Sequence, residues 1–408
     1  MPPSASVILV AFHFPPSAAA GAARPGRFFK HLPRFGWDPL VVTNTPQTET
    51  DERIRVVPAA GPPDRRTLRG WQELLLRRFV LIRHEAVLWP GAASEAIAQF
   101  LRERPSAAVL SSSPPLAAHQ AAHRIKRRFG VDWIADFRDP LAGNPTRPQD
   151  ARTRLVDRFL ERRIFRAADA LIANTDAMLA AWRERSPEHA GKMRLLWNGY
   201  DPDHAVAAQP TPGERPRLLI HAGMVYARRH PLQALASIRR LLLSGRLDPQ
   251  DLSIRLVGTI APAIREALVE YDDLRQAGIL EIQGPTTPDD ALEQTARAHG
   301  LLLLDVQGEG GGLQAPSKMF DYVRIGRPIL ACTNRDSPVD RILGRCGAPT
   351  VRIYTDDPGE VVDGKLLEFL ELPPEPSPPS EWFRDTFDGV RQAEELARLL
   401  DELRSRRR

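Results

Sequence analysis

The chain has 408 residues, 42% of them apolar, so it is long enough for two or three domains that each bury a core. It contains no apolar run of the ~18 residues that a membrane-spanning helix needs, and its first residues do not resemble a signal peptide. A net charge of +5 without a basic, aromatic stripe gives no reason to expect nucleic-acid binding. The two cysteines, Cys332 and Cys346, lack a metal-ligand or disulfide pattern, which favours a reducing cytoplasm.

In the first half of the chain, apolar strands alternate with amphipathic helices, a pattern typical of a parallel α/β sheet. The predicted strands are Val7–Ala11, Pro39–Thr43, Ala107–Leu110, Trp133–Ala135 and Ala170–Ala173. The predicted helices are Arg24–Pro33, Ala92–Arg104, Leu116–Phe129, Thr153–Ala167 and Asp176–Arg185. Ligands of such sheets bind at the carboxyl ends of the strands, so the segments that follow each strand are the candidate binding loops.

The first of these loops begins at His13 and is rich in small residues, among them Gly21, before Arg24 opens a helix. Small residues let the backbone approach a substrate closely, although the loop lacks the clustered glycines of a phosphate-binding motif. A later loop carries Arg138 and Asp139 directly after a strand. These side chains could contact an acceptor substrate, or an internal Asp–Arg salt bridge could simply shape the loop, and both interpretations stay open.

The segment 65–88 combines a tryptophan and several leucines with seven basic residues. Its apolar residues cover more than one helical face, so part of the segment is expected to be buried. The basic remainder could lie on an anionic membrane surface, or it could pack on the first domain with its arginines in solvent.

The second half repeats the alternation of strands and helices after a junction rich in proline and alanine. The predicted strands are Arg217–His221, Ser253–Val257, Leu280–Gln283, Gly300–Leu304, Ile329–Cys332 and Thr350–Ile353. The predicted helices are Pro231–Ser244, Ala261–Gln276, Pro288–Ala298, Lys318–Ile325 and Val339–Arg345. A proline-rich stretch then separates this half from a terminal helix over Glu381–Leu403.

Two loops of the second half are suited to a nucleotide diphosphate. Gly223 permits close backbone approach after the first strand, and Arg228 and Arg229 place two cations immediately before the next helix. His221, at the end of that strand, could equally be a core histidine with its hydrogen bonds satisfied. Backbone groups beside Gly284 could read the edge of a nucleobase, although a plain turn would also explain the glycine.

The helix that begins near Lys318 is the strongest signal in the chain. Its free N–H groups and Lys318 favour an anion, and Asp321, three residues later on the same face, could accept hydrogen bonds from ribose hydroxyls. Gly326 is suited to the left-handed position that ends a helix. The alternative is a surface Lys–Asp pair on an ordinary amphipathic helix.

Taken together, several short motifs resemble those of one family. They are His13-Phe-Pro-Pro-Ser, Trp133-Ile-Ala-Asp-Phe-Arg-Asp-Pro140, Asn198-Gly-Tyr-Asp201, His221-Ala-Gly223, and Pro316-Ser-Lys-Met-Phe-Asp-Tyr322 with Gly326-Arg-Pro-Ile329. In order and spacing they resemble glycosyltransferases of the GT-B architecture, close to the family 4 group of retaining enzymes. The resemblance runs along nearly the whole chain.

This resemblance implies an α/β fold with two Rossmann-like parallel-sheet domains facing a central cleft. Residues 1–205 would bind the acceptor, 206–380 would bind the nucleotide sugar, and 381–408 would form a helix that crosses back to the N-terminal domain. The implied reaction needs neither a metal nor another cofactor, because Arg229 and Lys318 would neutralise the departing diphosphate. Asp139 or His13 would orient the acceptor or take its proton.

The sequence also departs from the family pattern at the donor site. Members of the family usually offer an arginine and a lysine for the diphosphate in the first loop of the second domain. Met224 stands where that arginine is usual, and Arg228 or Arg229 must replace the lysine. Leu313 stands where the first of two acidic residues is usual, while Asp321 matches the second; Glu309 is a candidate to compensate for that missing carboxylate.

The expected function is transfer of a sugar from a nucleotide-diphosphate sugar to a bacterial envelope, polysaccharide or lipid-linked acceptor. The expected location is the cytoplasm or the inner face of the plasma membrane. Two alternatives from other classes remain: a sugar-nucleotide isomerase of the same architecture, and a non-catalytic protein that binds nucleotide sugars. The isomerase would consume donor without an acceptor, whereas the binding protein would show no turnover.

Overall fold

The computed structural model describes residues 5–17, 19–59, 85–104, 107–144, 150–204, 207–208, 215–308 and 311–406, without the side chains of 85–88. The chain divides into two compact units. Unit 1 comprises Met1–Asp201 and Asp388–Arg408, and unit 2 comprises Pro202–Phe387. Each unit contains one parallel sheet with helices, which confirms the predicted α/β class with two Rossmann-like domains.

The sheet of unit 1 has seven parallel strands in the order β3-β2-β1-β4-β5-β6-β7. They are β1 (Ala5–Ala11), β2 (Trp37–Thr43), β3 (Ile54–Val56), β4 (Ala108–Ser113), β5 (Trp133–Phe137), β6 (Ala170–Ala173) and β7 (Met193–Leu195). The central strand β1 is buried along its whole length, as expected for an apolar strand covered on both faces. Ser112 pairs with Ala11 on one side and Asp136 on the other, so β1, β4 and β5 end at one edge of the sheet.

Within the described residues, the α-helices between the strands of unit 1 are α1 (Ala23–His31), α2 (Glu85–Glu103), α3 (Ala117–Phe129), α4 (Ala151–Ala167) and α5 (Asp176–Arg185). Thr175 caps α5, because its side-chain oxygen accepts a hydrogen bond from the Met178 N–H at the start of that helix.

The sheet of unit 2 has six parallel strands in the order β10-β9-β8-β11-β12-β13. They are β8 (Arg217–Ala222), β9 (Leu252–Val257), β10 (Leu280–Gln283), β11 (Gly300–Leu304), β12 (Ile329–Thr333) and β13 (Thr350–Tyr354). The helices are α6 (Leu232–Leu243), α7 (Pro262–Leu268), α8 (Asp272–Gln276), α9 (Pro288–Ala296), α10 (Lys318–Ile325), α11 (Pro338–Leu343), α12 (Gly359–Glu371) and α13 (Glu381–Phe387). The central position of β8 puts the loop after it between the ends of β9 and β11.

The terminal segment differs from the single helix that the sequence predicts over Glu381–Leu403. It forms two helices, because Asp388 adopts an extended backbone and its carboxylate caps the second helix, α14 (Gly389–Ser405). Helix α13 belongs to unit 2, where Phe387 packs on Phe320 with ring centroids 5.0 Å apart. Helix α14 belongs to unit 1, where Leu396 and its apolar neighbours join the core that contains Phe28. The units therefore change at 201 and 387, whereas the sequence suggests 205 and 380.

The eleven predicted strands are all present, but strands β3 and β7 and helix α12 escape prediction, and the helix predicted over Ala261–Gln276 is divided into α7 and α8. Strands β3 and β7 have three residues each, too few to show a hydrophobic period. Helix α12 contains Gly364 in its interior, which weakens the helical signal. No helix of the described residues is long and apolar enough to cross a bilayer. Within 65–88, only the helical backbone of 85–88 is described, so the predicted membrane contact lies outside the described residues.

Candidate functional site

The ends of β8 and β9 meet at two glycines in unit 2. Gly223 follows β8 with a φ of +143° and donates its N–H to the Val257 carbonyl at 2.7 Å. Gly258 follows β9 with a φ of +132°, and a Cβ there would come within 2.5 Å of the Gly223 carbonyl oxygen. A side chain at Gly223 would collide with the ammonium group of Lys318. Gly223 and Lys318, both predicted from the sequence, are therefore in direct contact. Positions 223 and 258 both favour glycine, the first because of the Lys318 ammonium and the second because of the Gly223 backbone.

The ammonium of Lys318 is held by a buried histidine. Lys318 Nζ lies 3.1 Å from Nε2 of His221, whose Nδ1 lies 2.9 Å from the Leu302 carbonyl oxygen. Because a carbonyl only accepts, Nδ1 carries the proton and Nε2 accepts from Lys318. Burial, with Lys318 and Arg229 nearby, lowers the pKa of His221 well below its usual value, so the ring stays neutral. His221 is therefore a core histidine, as the sequence allows, and it also orients Lys318.

The environment of Lys318 also disfavours its own charge. Burial and then the positive charge of Arg229 lower the pKa of Lys318 to about 7. Among the described residues, neither Lys318 nor Arg229 forms an ion pair with a carboxylate. We call the site formed by Gly223, Arg229 and Lys318 the recess. Since no carboxylate of the described residues forms an ion pair with its two basic side chains, the recess favours binding of an anion.

The two consecutive arginines of the loop after β8 play different roles. Arg228 donates through Nε to the Gln307 carbonyl at 3.1 Å, which ties it to the loop after β11. The backbone of Arg229 exchanges hydrogen bonds of 2.7 and 2.9 Å with Tyr226, and its guanidinium lies 5.3 Å from the centre of the Tyr226 ring. Arg229 Nε is buried without a hydrogen-bond partner. Of the two, Arg229 is the one coupled to Lys318 and His221.

A buried acid beside this recess was not predicted from the sequence. Asp305 directly follows β11, is fully buried, and accepts hydrogen bonds from the Thr333 hydroxyl at 2.8 Å and the Val306 N–H at 2.7 Å. Burial raises the pKa of Asp305 to about 7, although these hydrogen bonds and the charge of Arg229 oppose the shift. The position of Asp305 directly after an apolar strand could have marked it as a candidate site residue, but no sequence motif contains it.

The remaining predicted donor residues lie on neighbouring elements. Asp321 is half-buried in the first turn of α10, and the next residue, Tyr322, accepts the Ala222 N–H at 3.0 Å, which fixes α10 against the end of β8. Gly326 ends α10 with a φ of +78°, as predicted. Gly284 is exposed after β10, the edge strand, whose Gln283 carbonyl accepts the Gly258 N–H at 3.1 Å.

Arg24 is not placed to bind a substrate, contrary to the expectation from its loop. Its guanidinium forms a two-pronged pair with Asp136, at 3.0 and 2.9 Å, and donates to the carbonyls of Leu196 and Trp197. Arg24 is 1% exposed and Asp136 is fully buried. The interior pair joins α1 to β5, and it leaves no donor of Arg24 directed to solvent that a substrate could reach.

The other predicted residues of unit 1 gather at the edge where β1, β4 and β5 end. The guanidinium of Arg138 lies against Gly21, and it donates to the Ser113 and Pro114 carbonyls. Asp139, the next residue, is half-buried and attracts Arg138 electrostatically. The structure therefore brings Gly21, Arg138 and Asp139 to one edge. The internal salt bridge is made by Asp136 with Arg24, whereas Asp139 is half-buried. Contact of Arg138 and Asp139 with an acceptor stays a prediction.

His13 is half-buried at the same edge, with its ring 5.0 Å from that of Phe12 in an edge-to-face arrangement. A second histidine, His119, was not predicted and is fully buried, with Nδ1 2.7 Å from the hydroxyl of Ser111. Burial lowers the pKa of His119 to about 3, which keeps it neutral inside the core. His119 is therefore a structural group, whereas His13 is partly exposed.

The comparisons with known proteins agree with this architecture. Residues 19–199 match the family model described as a glycosyl transferase 4-like domain. By sequence, no curated protein matches the chain.

Similar solved structures cover nearly the whole chain. Sucrose-phosphate synthase from Thermosynechococcus elongatus has a TM-score of 0.66 at 16% identity over 98% of this chain and 99% of its own. An α,α-trehalose-phosphate synthase (UDP-forming) from Burkholderia vietnamiensis has a TM-score of 0.62 at 11% identity, with 98% and 99% covered. The Anabaena protein HepE, in complex with UDP, has a TM-score of 0.57 at 14% identity, with 98% and 100% covered.

At these identities the solved structures establish the fold alone. Residues 19–199 match a glycosyl transferase 4-like domain, and the chain has the GT-B fold over nearly its full length.

Proposed function

We propose that the protein is a glycosyltransferase that takes its sugar from a nucleotide-diphosphate donor bound at the recess formed by Gly223, Arg229 and Lys318. The observation that carries the proposal is the pair of half-buried cations without a carboxylate partner among the described residues. A diphosphate diester carries two negative charges, which balance one guanidinium and one ammonium. Gly223, without a side chain, leaves the backbone and Lys318 open to the phosphate oxygens.

The same two cations would carry the chemistry of the departure step. When the bond between the sugar and the diphosphate breaks, negative charge grows on the phosphate oxygen that leaves. Arg229 and Lys318 would stabilise that charge from fixed positions, since a loop turn holds one and His221 holds the other. These residues would serve where other transferases use a metal ion, so we propose a metal-independent reaction. The proposal of a retaining outcome rests on the family resemblance alone.

The rest of the donor would lie along the ends of the neighbouring strands. Asp321, in the first turn of α10, would accept hydrogen bonds from the ribose hydroxyls. Backbone groups near Gly284 would contact the nucleobase, and Arg228 would act from the side of the loop after β11. Support for this arrangement is the contact between Tyr322 and Ala222, which fixes α10, and hence Asp321, relative to the phosphate recess.

On unit 1 we propose that His13 and Asp139 serve the acceptor, with Arg138 and Gly21 shaping the surface beside them. A hydroxyl acceptor needs a group that orients it and takes its proton, and both His13 and Asp139 are half-buried side chains at a strand-end edge. An envelope, polysaccharide or lipid-linked acceptor in the cytoplasm remains the proposed class.

Calorimetric titration with UDP-, GDP-, ADP- and dTDP-linked sugars tests the donor site. At least one should bind, and Lys318→Ala should weaken it by about tenfold or more, the loss typical of a charged hydrogen bond. Arg265→Ala, at an exposed position on α7, is the matched control and should leave affinity unchanged. Equal affinity for Lys318→Ala and the native protein would place the donor elsewhere.

Product analysis separates this function from its two rivals. A transferase releases nucleoside diphosphate in proportion to glycosylated acceptor, and the Asp139→Asn and His13→Ala variants should lower that rate without changing donor affinity. Conversion of the donor with no acceptor present would instead indicate an isomerase. Donor binding without any product over a broad acceptor panel would indicate a binding protein.

A further inference from the structure

Helix α4 of unit 1 exposes two large apolar side chains and buries three polar ones. Leu155 is 70% exposed and Phe159 is 62% exposed, and their spacing of four residues puts them on one face. The opposite face buries Thr153, Asp157 and Glu161, at 0%, 3% and 6% exposure. Ile164 and Phe165 are buried in the core as well, so α4 carries apolar side chains on its outer face in addition to its inner one. An ordinary surface helix has its apolar stripe toward the core only.

Specific contacts fix this orientation. Glu161 accepts the Ala142 N–H at 3.0 Å and lies 3.4 Å from the guanidinium of Arg185. Asp150 caps the helix by accepting from the N–H and the hydroxyl of Thr153, at 3.0 and 2.6 Å. Because the buried polar groups have their hydrogen-bond partners, turning the helix to hide its apolar face would leave them unsatisfied. The outward apolar face is thus part of the fold.

Exposed arginines surround the two apolar side chains. The helical period puts residues 152, 155, 159, 162, 163 and 166 on one outward stripe, in which arginine occupies every position except 155 and 159. None of the following forms an ion pair with a carboxylate of the described residues: Arg154, Arg158, Arg162, Arg163 and Arg166. At positions 162, 163 and 166 the stripe therefore combines positive charge that no carboxylate of the described residues balances with two large apolar side chains.

Another exposed leucine lacks this combination. Leu243, at the end of α6, is 82% exposed, but the two arginines that precede it by one turn on α6 are neutralised. Arg239 pairs with Asp273, and Arg240 pairs with Asp363. Leu243 is a single exposed apolar side chain of the kind that needs no explanation, whereas α4 presents a charged and apolar surface.

We infer that α4 docks unit 1 on the surface of an anionic lipid bilayer. Leu155 and Phe159 would enter the boundary between headgroups and acyl chains, while the flanking guanidiniums contact lipid phosphates. The long arginine stems can cover the apolar boundary with their charged ends in the headgroup layer. The uncompensated positive charge selects an anionic surface over a neutral one. This inference is independent of the donor site and of the proposed reaction.

Vesicle sedimentation with the full chain, in the absence of any substrate, tests the inference. The protein should sediment with vesicles of phosphatidylglycerol and phosphatidylcholine in equal parts, and should stay in the supernatant with phosphatidylcholine alone. The double variant Leu155→Gln with Phe159→Gln should bind at least about tenfold more weakly, since each substitution removes an inserted apolar side chain. Arg162→Glu should also weaken binding, by about fivefold or more, and added salt should release the native protein.

Leu243→Gln and Arg265→Glu are the matched controls and should sediment like the native protein. Unchanged melting temperatures would show that the α4 variants remain folded, as expected for exposed positions. The inference is overturned if the native protein ignores the anionic vesicles, or if the double variant binds them equally well. It is also overturned if the double variant abolishes a concentration-dependent dimer while vesicle binding is unchanged, since α4 would then contact a second copy.

Discussion

The protonation of Lys318 should make donor binding strongly dependent on pH. In the free protein, burial and the charge of Arg229 lower the pKa of this lysine to about 7. A bound diphosphate favours the ammonium form and must raise that pKa, so binding is coupled to proton uptake. The phosphates of a nucleotide-diphosphate sugar keep their charge near neutrality, so the change comes from the protein. Affinity should therefore be full below pH 7 and should fall as the pH rises through that value.

The size of the effect follows from the protonated fraction of Lys318. If the ammonium form binds the donor much more tightly than the neutral amine does, affinity falls by up to about tenfold for each pH unit above the pKa of the free protein. Between about pH 6 and about pH 9 the protonated fraction falls from roughly nine tenths to roughly one hundredth, a loss on the order of a hundredfold. The fall should level off where the pH reaches the raised pKa of Lys318 in the complex.

Isothermal titration calorimetry across this pH range, in two buffers with different ionisation heats, measures both affinity and proton uptake. Lys318→Arg is the decisive variant, because a guanidinium stays protonated throughout and should flatten the profile. Lys318→Met should bind weakly at every pH. A flat profile for the native protein, or the same slope in the arginine variant, would refute the assignment of the titrating group to Lys318.

Two further substitutions probe the fold around each site. Gly223→Ala should weaken donor binding by about tenfold or more, because the φ of +143° disfavours a side chain and the added Cβ would displace the Lys318 ammonium. The control is Gly364→Ala, which has open space around it and should leave donor affinity in calorimetric titration unchanged. Arg24→Met should destabilise the protein to urea by about 3–5 kcal/mol, because the carboxylate of Asp136 would stay buried without its partner. Stability equal to that of the native protein would contradict the structural role given to Arg24.

The sequence predicts this fold well because buried parallel strands are continuous apolar runs with sharp ends. Strand β11, for example, has leucine at every position after Gly300 and is fully buried. Since ligands bind at strand ends, locating the strands also locates the candidate loops. The contact between Gly223 and Lys318 was foreseeable in this way, although 95 positions separate the two residues.

Which side chains pair with one another within those loops was not predictable to the same degree. Arg24 and Arg138 both stand after strands, but Arg24 forms a salt bridge with Asp136, 112 positions away, whereas Arg138 lies beside Gly21. Which carboxylate meets which arginine depends on the register of strands and the entry angle of helices. Asp305 escaped notice for a related reason, because only burial gives it an unusual pKa, and burial is a property of the folded unit.

The electrostatics of the unit 2 recess argue for a ligand with two negative charges. Burial lowers the pKa of Lys318 and raises that of Asp305, each to about 7, so both groups shift toward their neutral forms. Neutral His221 accepts from Lys318 and adds no charge. A bound anion would hold Lys318 as an ammonium beside Arg229 while still disfavouring the Asp305 carboxylate, so the occupied recess becomes a site of two positive charges. A monoanion would leave one of these cations unbalanced, whereas a diphosphate diester neutralises both, which is the physical reason to expect the recess to select the diphosphate linkage.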